Sequence, residues 1–480
     1  MIFVQFLIDY PLGKKRFEDH MKQIVLNIKY EYEDGRMSAI GLLSVVIEKL
    51  PSSLLEDQAQ LFFLPLVLQL VNDESEKCRE AVSKTISSIF QRVSMETLQT
   101  LYDYIVRWFS ENQSGISGIQ RTSAQLLGIM VESRSDFIKR GNHAKDQISI
   151  LQKVLDAELD NVLEDSDVIG NEWELVYFCL ICFEKIHRVM PNTTNTQRAM
   201  WSTVIKCLVH PHLWIKQVAS RIISTHILGL DPTALSFDKE SEVSFICSIP
   251  GSIHDIAKNI CRQIDAPADQ LTSGLSTLAV KTLTWAVQAM YFNPKLCYKD
   301  DISIENTGTE GMEKKSKDPV LWLMNRLSNM AKDKGELRRE AVFKCFAAFA
   351  SSCDKQIVTP YLEQMLIPLH RALLEAQNLI DQKRARDDDP DTSALDLLKD
   401  VMQVLEDQCG TEQFISAYTA VKTRAKERRD QRKQEVASQA IHNPEEAAKR
   451  KIKKQERERE RKKRRMQEKK LGIHKRRKKR

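Results

Sequence analysis

The stretches "RMSAIGLLSVVIEKL" (Arg36–Leu50) and "REAVSKTISSIFQRV" (Arg79–Val93) decide the fold of this chain. In both, apolar residues recur at every third or fourth position, which places them along one face of an α-helix. A third segment of this kind begins at Arg121, so the three starts are separated by 43 and 42 residues. A period of about 40 to 47 residues is typical of two-helix repeats of the HEAT and armadillo kind. The sequence therefore predicts a stack of antiparallel helix pairs.

The same pattern returns further along the chain. "IKQVASRIIS" begins at Ile215, and "LRREAVFKCFAAFASS" begins at Leu337 with an "RREAV" that nearly repeats the "CREAV" at Cys78. A helix pair cannot bury its apolar face alone, so neighbouring pairs share a continuous core. We predict an all-α fold, a HEAT/armadillo-like α-solenoid over residues 1–380, followed by a basic, partly helical C-terminal arm.

Polar segments divide the rest of the chain. "LGLDPTALSFDKESEVS" and "YKDDISIENTGTEGMEKKSKDP" are rich in turn residues and indicate loop insertions between repeats. Residues 381–393, "DQKRARDDDPDTS", are predicted to form an acidic linker, and residues 394–420 C-terminal helices, the first of which ends at Gly410. The basic arm is assigned to residues 421–480, as an extended helix or disordered when free.

Charge is distributed unevenly between these parts. The chain has a formal net charge of +6, yet Lys422–Arg480 contains 27 Lys and Arg against 9 Asp and Glu. The remaining residues therefore carry 45 cations against 57 anions. An acidic body with a basic arm indicates a partner for the arm that carries many negative charges.

The ten cysteines show no paired spacing, and most lie among apolar residues. This favours reduced core thiols over a disulfide framework. The apolar run at the start of the sequence is only eight residues long and ends at Asp9, so it predicts neither a signal peptide nor a membrane span. We expect no membrane partner.

Three clusters contain residue types that bind metals. "CLIC" (Cys179–Cys182) with His187 lacks a second Cys-x-x-Cys, and "HPH" (His210–His212) lacks visible partner ligands. "DDDPD" (Asp387–Asp391) lacks the ligand spacing and glycine of an EF-hand loop. The prediction is core thiols, turn residues and an acidic linker, respectively.

The sequence contains no phosphate-binding glycine loop, nucleophile elbow or zincin helix. We therefore expect no enzymatic activity, no cofactor, no metal and no small-molecule substrate.

The arm is the strongest candidate for function. It has no Phe, Tyr or Trp after Tyr418, so it cannot stack on unpaired bases, and its cations are suited to phosphates instead. The predicted RNA-binding residues are Lys449, Arg450, Lys451, Lys453, Lys454, Arg457, Arg459, Arg461, Lys462, Lys463, Arg464, Arg465, Lys469, Lys470, Lys475, Arg476, Arg477, Lys478, Lys479 and Arg480. A merely solubilising tail is the alternative.

Part of the arm is predicted to be helical. Asn443 is a good N-cap, Pro444 suits the first helical position, and Glu446 stands three residues after the cap. Without an apolar stripe, a helix from Pro444 towards Lys470 would be marginal by itself, so we expect it to order on a partner.

"EQFISAYTAVKTRAKERRDQRKQEVASQAIHNPEEAAKRKIKK" (Glu412–Lys454) resembles the C-terminal end of a family of very large HEAT-repeat scaffolds, the small-subunit processome component 20 homologues, also called the down-regulated-in-metastasis family. The shared features are Phe414 with Tyr418, the basic "ERRDQRK" and the segment "NPEEAAKRKIKK". "FVQFLIDYPLGKKR" near the start resembles an internal stretch of the same family. Family members are several times longer, so the chain is predicted to correspond to their C-terminal portion.

The resemblance implies a nucleolar protein without enzymatic activity. It implies binding to pre-rRNA, to the U-three small nucleolar RNA and to other processome proteins, and a requirement in the early cleavages that lead to 18S rRNA. The competing hypothesis is a nuclear transport adaptor, or general interaction scaffold, whose basic end is an import signal. An arm of about sixty residues exceeds the five to eight that such a signal needs, which favours the first hypothesis.

Overall fold

The computed structural model describes residues 5–6, 10, 13–110, 117–164, 173–235, 244–267, 270–298, 318–332, 335–384 and 393–470. Most of the chain in these ranges is α-helical, and they contain no β-strand. Residues 236–243, about half of the first predicted loop insertion, and residues 299–317, most of the second, lie outside them, as do residues 385–392 of the predicted linker. The all-α prediction is confirmed.

Eighteen helices of ten or more residues are present in the described ranges. In chain order, α1 to α18, they are Lys14–Asn27, Glu33–Lys49, Ser52–Asn72, Glu76–Arg92, Met95–Ser110, Ser117–Ser133, His143–Glu164, Trp173–Val189, Arg198–Cys207, Leu213–Leu228, Ser252–Ile264, Ser273–Phe292, Pro319–Met330, Glu336–Ser352, Leu362–Arg384, Ser393–Cys409, Thr411–His442 and Pro444–Lys470. Single helical turns at Ser135–Ile138, Pro191–Asn195, Phe245–Ser248 and Lys355–Val358, and 3-10 turns at Pro294–Cys297 and Thr359–Tyr361, lie between them.

The chain forms two compact units, Met1–Cys353 and Asp354–Arg480. In the first, α1 to α14 form seven helix pairs, and the second helix of each pair packs against the second helix of the next pair. This is the arrangement of a helical-repeat stack. The predicted end of the repeats at residue 380 lies inside α15, where no helix ends.

The quoted stretches form the second helices α2 and α4. Leu43 and Ile47 of α2, and Val82, Ile86 and Ile89 of α4, have no exposed surface. Each helix thus presents its apolar stripe to the shared core, as the spacing predicts.

Helix α3 is long and apolar enough to cross a membrane by length and composition, and half of that stretch is buried inside the protein. Leu55, Phe62, Phe63 and Leu66 have no exposed surface. In the described residues this helix is a core element of the repeat stack.

Two of the three arginines that mark the period, Arg36 and Arg79, have the same structural role, whereas Arg121 pairs with Glu174 of α8. Arg36 donates hydrogen bonds to the carbonyl oxygens of Tyr30 and Glu31, six and five residues earlier. Arg79 donates to the carbonyl oxygens of Asp73 and Glu74 at the same offsets, 2.6 and 3.0 Å away. Each of these two arginines therefore satisfies carbonyl groups in the turn between the two helices of its own pair.

A second arginine series was not singled out from the sequence. Arg92, the last residue of α4, donates to the carbonyls of Ile47 and Leu50 at the end of α2. Arg134 donates to the carbonyls of Phe90 and Val93 at the end of α4, at 3.1 and 2.9 Å. The final carbonyls of a helix lack intrahelical partners, so these arginines cap each helix from the next pair.

Candidate nucleic-acid interface

The basic arm begins inside the second unit, on helix α17. Gly410 ends α16 with a φ of +87°, a conformation that favours glycine, and α17 starts at the next residue. Phe414 and Val421 are the buried residues of α17, and the helix packs against α15 and α16. The first three turns of α17 are therefore part of the core of this unit.

Polar contacts fix the same part of α17. The Tyr418 hydroxyl lies 3.3 Å from Nδ1 of His370, and its ring stacks on Phe414 with centroids 5.9 Å apart. Lys422 Nζ lies 4.3 Å from the centre of the Tyr418 ring, within the range of a cation–π contact. Arg424 forms an ion pair with Glu363 of α15.

Burial shifts the pKa values of the two groups that meet at the start of α17, His370 and Tyr418. Burial lowers the pKa of His370, and the nearby cations Lys422 and Arg429 lower it further, so the imidazole is neutral at neutral pH. Burial also raises the pKa of Tyr418, which keeps its hydroxyl protonated. The start of α17 is thus held by the neutral side chains of His370 and Tyr418 and by the ion pair between Arg424 and Glu363.

Beyond Val421 the side chains face solvent. From Lys422 to Gln467 every described side chain is exposed except that of Asp430, which is half-buried. Residues 422–470 carry 21 Lys and Arg against 9 Asp and Glu. Lys433 pairs with Asp430 at 3.4 Å, so part of this charge is balanced locally.

The helix predicted from Pro444 towards Lys470 is present as α18, Pro444–Lys470. Asn443, with φ −142° and ψ 69°, separates it from α17. Glu445 and Glu446 occupy the first turn, where negative charge opposes the positive end of the helix dipole.

The structure locates most of the predicted RNA-binding residues on α18. Side chains that it describes, all of them exposed, are Lys449, Lys451, Lys453, Arg457, Arg459, Arg461, Lys462, Lys463 and Arg464. Positions on the helix whose side chains lie outside the description are Arg450, Lys454, Arg465, Lys469 and Lys470. Lys475, Arg476, Arg477, Lys478, Lys479 and Arg480 lie outside the described residues.

The "CLIC" cysteines lie in α8 and are fully buried. Burial raises the pKa of both thiols, that of Cys182 to about 12, so neither is a thiolate at neutral pH. Both ring nitrogens of His187 are already used, at 2.6 Å from the Thr194 hydroxyl and 3.2 Å from His226 Nδ1. These contacts give the three residues a packing role.

His187 belongs to a buried chain of hydrogen bonds that sequence reasoning missed. Thr194 Oγ donates its proton to the carbonyl of Pro191, 2.8 Å away, which sets the direction of the chain and leaves Ser244 Oγ as the donor to Nε2 of His226, also 2.8 Å away. His226 Nδ1–H then donates to Nε2 of His187, and His187 Nδ1–H donates to Thr194 Oγ. Each imidazole is thereby fixed in one neutral tautomer.

The other two clusters contain no ligand set in the described residues. His210 Nδ1 accepts the backbone N–H of His212 at 3.0 Å, in the turn between α9 and α10. Asp387–Asp391 lie outside the described residues. Where the structure describes the chain, no group of three His, Cys, Asp or Glu side chains is arranged to hold a metal ion.

Comparison with known proteins gives matches over most of the chain. Residues 119–468 match the family model described as small subunit processome component 20 homolog, C-terminal. The U3 small nucleolar RNA-associated protein 20 of Saccharomyces cerevisiae is 26% identical over 464 residues, and that of Schizosaccharomyces pombe is 24% identical over 469 residues. Both alignments cover 94% of this chain and 17% of the relative, so the chain spans about a sixth of their length.

Among solved structures, importin beta crystallised in ammonium sulfate is similar in fold. It superposes with a TM-score of 0.51 at 10% sequence identity, over 85% of this chain and 43% of importin beta. At this identity the likeness concerns the helical-repeat fold alone.

Proposed function

Because this chain belongs to the small subunit processome component 20 homolog family, in the C-terminal part that the family model describes, we propose that it is a non-enzymatic scaffold of ribosome biogenesis. In this proposal the helical repeats bind other proteins of the small-subunit processome, and the basic arm binds RNA. The RNA partners are pre-rRNA and the U3 small nucleolar RNA, and the latter appears in the name of both yeast relatives. The protein would act in the nucleolus, in the processing that leads to 18S rRNA.

The observation that carries the RNA proposal is the exposure of the arm. A core helix uses its side chains for packing, yet the described side chains of α18 are exposed, and residues 449–470 hold 14 Lys and Arg against 4 Asp and Glu. Concentrated, exposed cations bind phosphate groups and release the counterions around them. The firmly packed base of α17 then holds the arm to the second unit.

The scaffold role is supported by the chemistry of the buried polar groups. In the described ranges nine of the ten thiols and the histidines His187, His210 and His226 are buried in packing contacts and hydrogen bonds rather than gathered at a cleft. Stacked helix pairs provide extended surfaces suited to protein partners. Specific docking would come from those surfaces, since phosphate contacts carry little sequence information.

The test is removal of residues 443–480 from the otherwise intact chain, with a heterologous import signal added. We expect the truncated protein to enter the nucleus, to lose crosslinks to pre-rRNA and to be retained less in the nucleolus. The matched control keeps the arm and replaces exposed Lys206, Lys258 and Lys281 of the first unit by Gln. It should behave as the unmodified chain does.

If the truncated protein still concentrates in the nucleolus and crosslinks to pre-rRNA as the intact chain does, the arm serves only import or solubility. The transport-adaptor hypothesis would then gain support.

A further inference from the structure

The cations of α18 lie on opposite sides of one helix. Arg457 and Arg461 are four residues apart and share a face. Arg459 stands two residues from each of them, which is about 200° around a helix of about 3.6 residues per turn. Lys463 is four residues after Arg459 and lies on that second side.

All four of these side chains are exposed, and α18 runs without a break from Pro444 to Lys470. Its 27 residues correspond to a rod about 40 Å long at about 1.5 Å per residue. The helix therefore presents two rows of cations to its surroundings, one along each side.

A single RNA strand lying along a straight helix follows one side of it and leaves the other row unused. Stacking on large aromatic side chains is the main further source of affinity for unpaired bases, and the chain has no Phe, Tyr or Trp after Tyr418 to supply it. Single-stranded RNA therefore contacts the cations on only one side of α18.

A double-stranded RNA presents phosphates in two rows. The wide, shallow minor groove of an A-form duplex is bordered by both backbones, and proteins recognise such duplexes mainly through phosphates, 2′-hydroxyls and shape. A helix lying over this groove can direct one row of cations to each backbone. Binding to a duplex does not need aromatic side chains on the protein, because paired bases remain stacked on each other.

We infer that α18 binds double-stranded RNA, with Arg457 and Arg461 directed to one phosphate backbone and Arg459 and Lys463 to the other. This inference rests on the proposed RNA-binding function of the arm and names the class of RNA that it takes.

The experiment measures the affinity of the full 480-residue chain for two probes as a function of salt. One probe is a mixed-sequence RNA duplex of about 20 base pairs, slightly longer than the roughly 16 base pairs that double-strand binding domains span. The other is an oligouridine single strand of the same length. We expect the duplex to bind at least about tenfold more tightly, with the steeper dependence on salt.

Two paired variants test the two-sided geometry. Arg457→Gln with Arg461→Gln, and Arg459→Gln with Lys463→Gln, each remove two cations from one side and keep a residue that favours helix. Each pair should lower the slope of log affinity against log salt on the duplex by about 2, because each lost phosphate contact removes about 0.9. The control, Lys206→Gln with Lys258→Gln in the first unit, should leave the slope unchanged. Circular dichroism verifies that all three variants keep their helix content.

Equal or tighter binding to oligouridine would overturn the inference while leaving an RNA-binding arm in place. So would a result in which one paired variant matches the control. If the chain binds neither probe, the proposed RNA-binding function itself fails, and the inference fails with it.

Discussion

Arg36 and Asp73 form a two-point ion pair, with Nε and Nη2 of the guanidinium 2.9 and 3.0 Å from the two carboxylate oxygens. The pair joins the second helix of one repeat to the end of the first helix of the next, and the Asp73 side chain has no exposed surface. Asp73 also accepts hydrogen bonds from Gln69 and from the backbone N–H of Ser75. Arg36 thereby links two neighbouring repeats in addition to binding the carbonyl groups of its own turn.

The Asp73→Asn substitution should destabilise the first unit. Burial raises the pKa of Asp73, but the hydrogen bonds from Arg36, Ser75 and Gln69 outweigh it and lower the pKa overall, so the carboxylate is charged in the folded protein. An asparagine removes the charge from a side chain with no exposed surface and leaves the half-buried Arg36 without its counter-charge, so the free energy of unfolding should fall by about 2 kcal/mol, as for the loss of a hydrogen bond to a charged group. Chemical denaturation followed by circular dichroism measures the loss.

The matched control is Asp57→Asn, which removes an exposed partner of Lys14 at 3.8 Å. Exposed pairs contribute about 0–1 kcal/mol, so this variant should unfold almost as the unmodified chain does. Equal effects of the two substitutions would contradict the structural role of Asp73.

The Arg134→Lys substitution tests helix capping between repeats. Nη1 of Arg134 binds the carbonyls of Phe90 and Val93 while Nε and Nη2 bind Asp136. A lysine keeps the charge but has a single nitrogen that cannot do both, so we expect a loss of about 1–2 kcal/mol. Hydrogen exchange should rise at the end of α4. Exposed Arg140 offers the control: Arg140→Lys should change neither quantity, and a protected α4 end in the Arg134 variant would refute the capping role.

The buried histidines make stability depend on pH. Burial lowers the pKa of His187 to about 4, although the nearby Glu184 carboxylate acts in the opposite direction. Burial, together with the neighbouring His187, lowers the pKa of His226 to about 3. The unfolded chain takes up protons as the pH falls through 6.5, whereas the folded chain does so only near pH 4 and 3. The free energy of unfolding should therefore be highest above pH 6.5 and should fall as the pH drops towards 4.

The size of this effect is on the order of 2–3 kcal/mol per histidine. It is measured by denaturant titrations between about pH 7.5 and 4.5. The His226→Gln variant should show a shallower fall with pH, because one titrating group is gone, while His20→Gln on the exposed face of α1 should retain the full slope. A slope unaffected by His226→Gln would remove the histidine chain as its source.

The thiols should differ in reactivity. Nine of the ten cysteines are buried and Cys247 is half-buried. Burial raises the pKa of Cys182, Cys207 and Cys261 to about 12, which suppresses the reactive thiolate. Under native conditions iodoacetamide should modify Cys247 first, as read by peptide mass spectrometry. Early modification of Cys182 instead would show that the α8 core opens readily.

The packing of the start of α17 should affect stability without affecting RNA binding. Phe414→Ala removes a ring that is 6% exposed and stacked on Tyr418, so unit Asp354–Arg480 should lose about 3 kcal/mol of stability. Below its lowered melting temperature the variant should bind duplex RNA as the unmodified chain does, since α18 is untouched. Ile415→Ala, at an exposed neighbour, is the control for stability. An RNA affinity that falls together with stability would mean that the packed start of α17 takes part in RNA binding.

Much of this protein follows from its sequence because helical repeats depend on local pattern. The three-and-four spacing of Leu43, Ile47 and their equivalents specifies helices with one apolar face, and the 43- and 42-residue intervals specify their pairing. Gly410 as the end of α16 and Pro444 as the start of α18 also follow from local backbone chemistry. The charge of the arm is likewise a property of composition.

Tertiary structure alone decided which polar groups meet. In the sequence nothing distinguishes Arg92 from other cations, and only the structure shows that it binds the end of α2. In the sequence His187 is a possible metal ligand, and only the structure shows that its two nitrogens are bonded to Thr194 and His226. These contacts join residues up to 45 positions apart, and their partners are fixed by how helices stack. A helix pattern specifies which face is buried, but only the packed repeats determine which hydrogen-bonding groups are carried into that interior together, where each must find a partner.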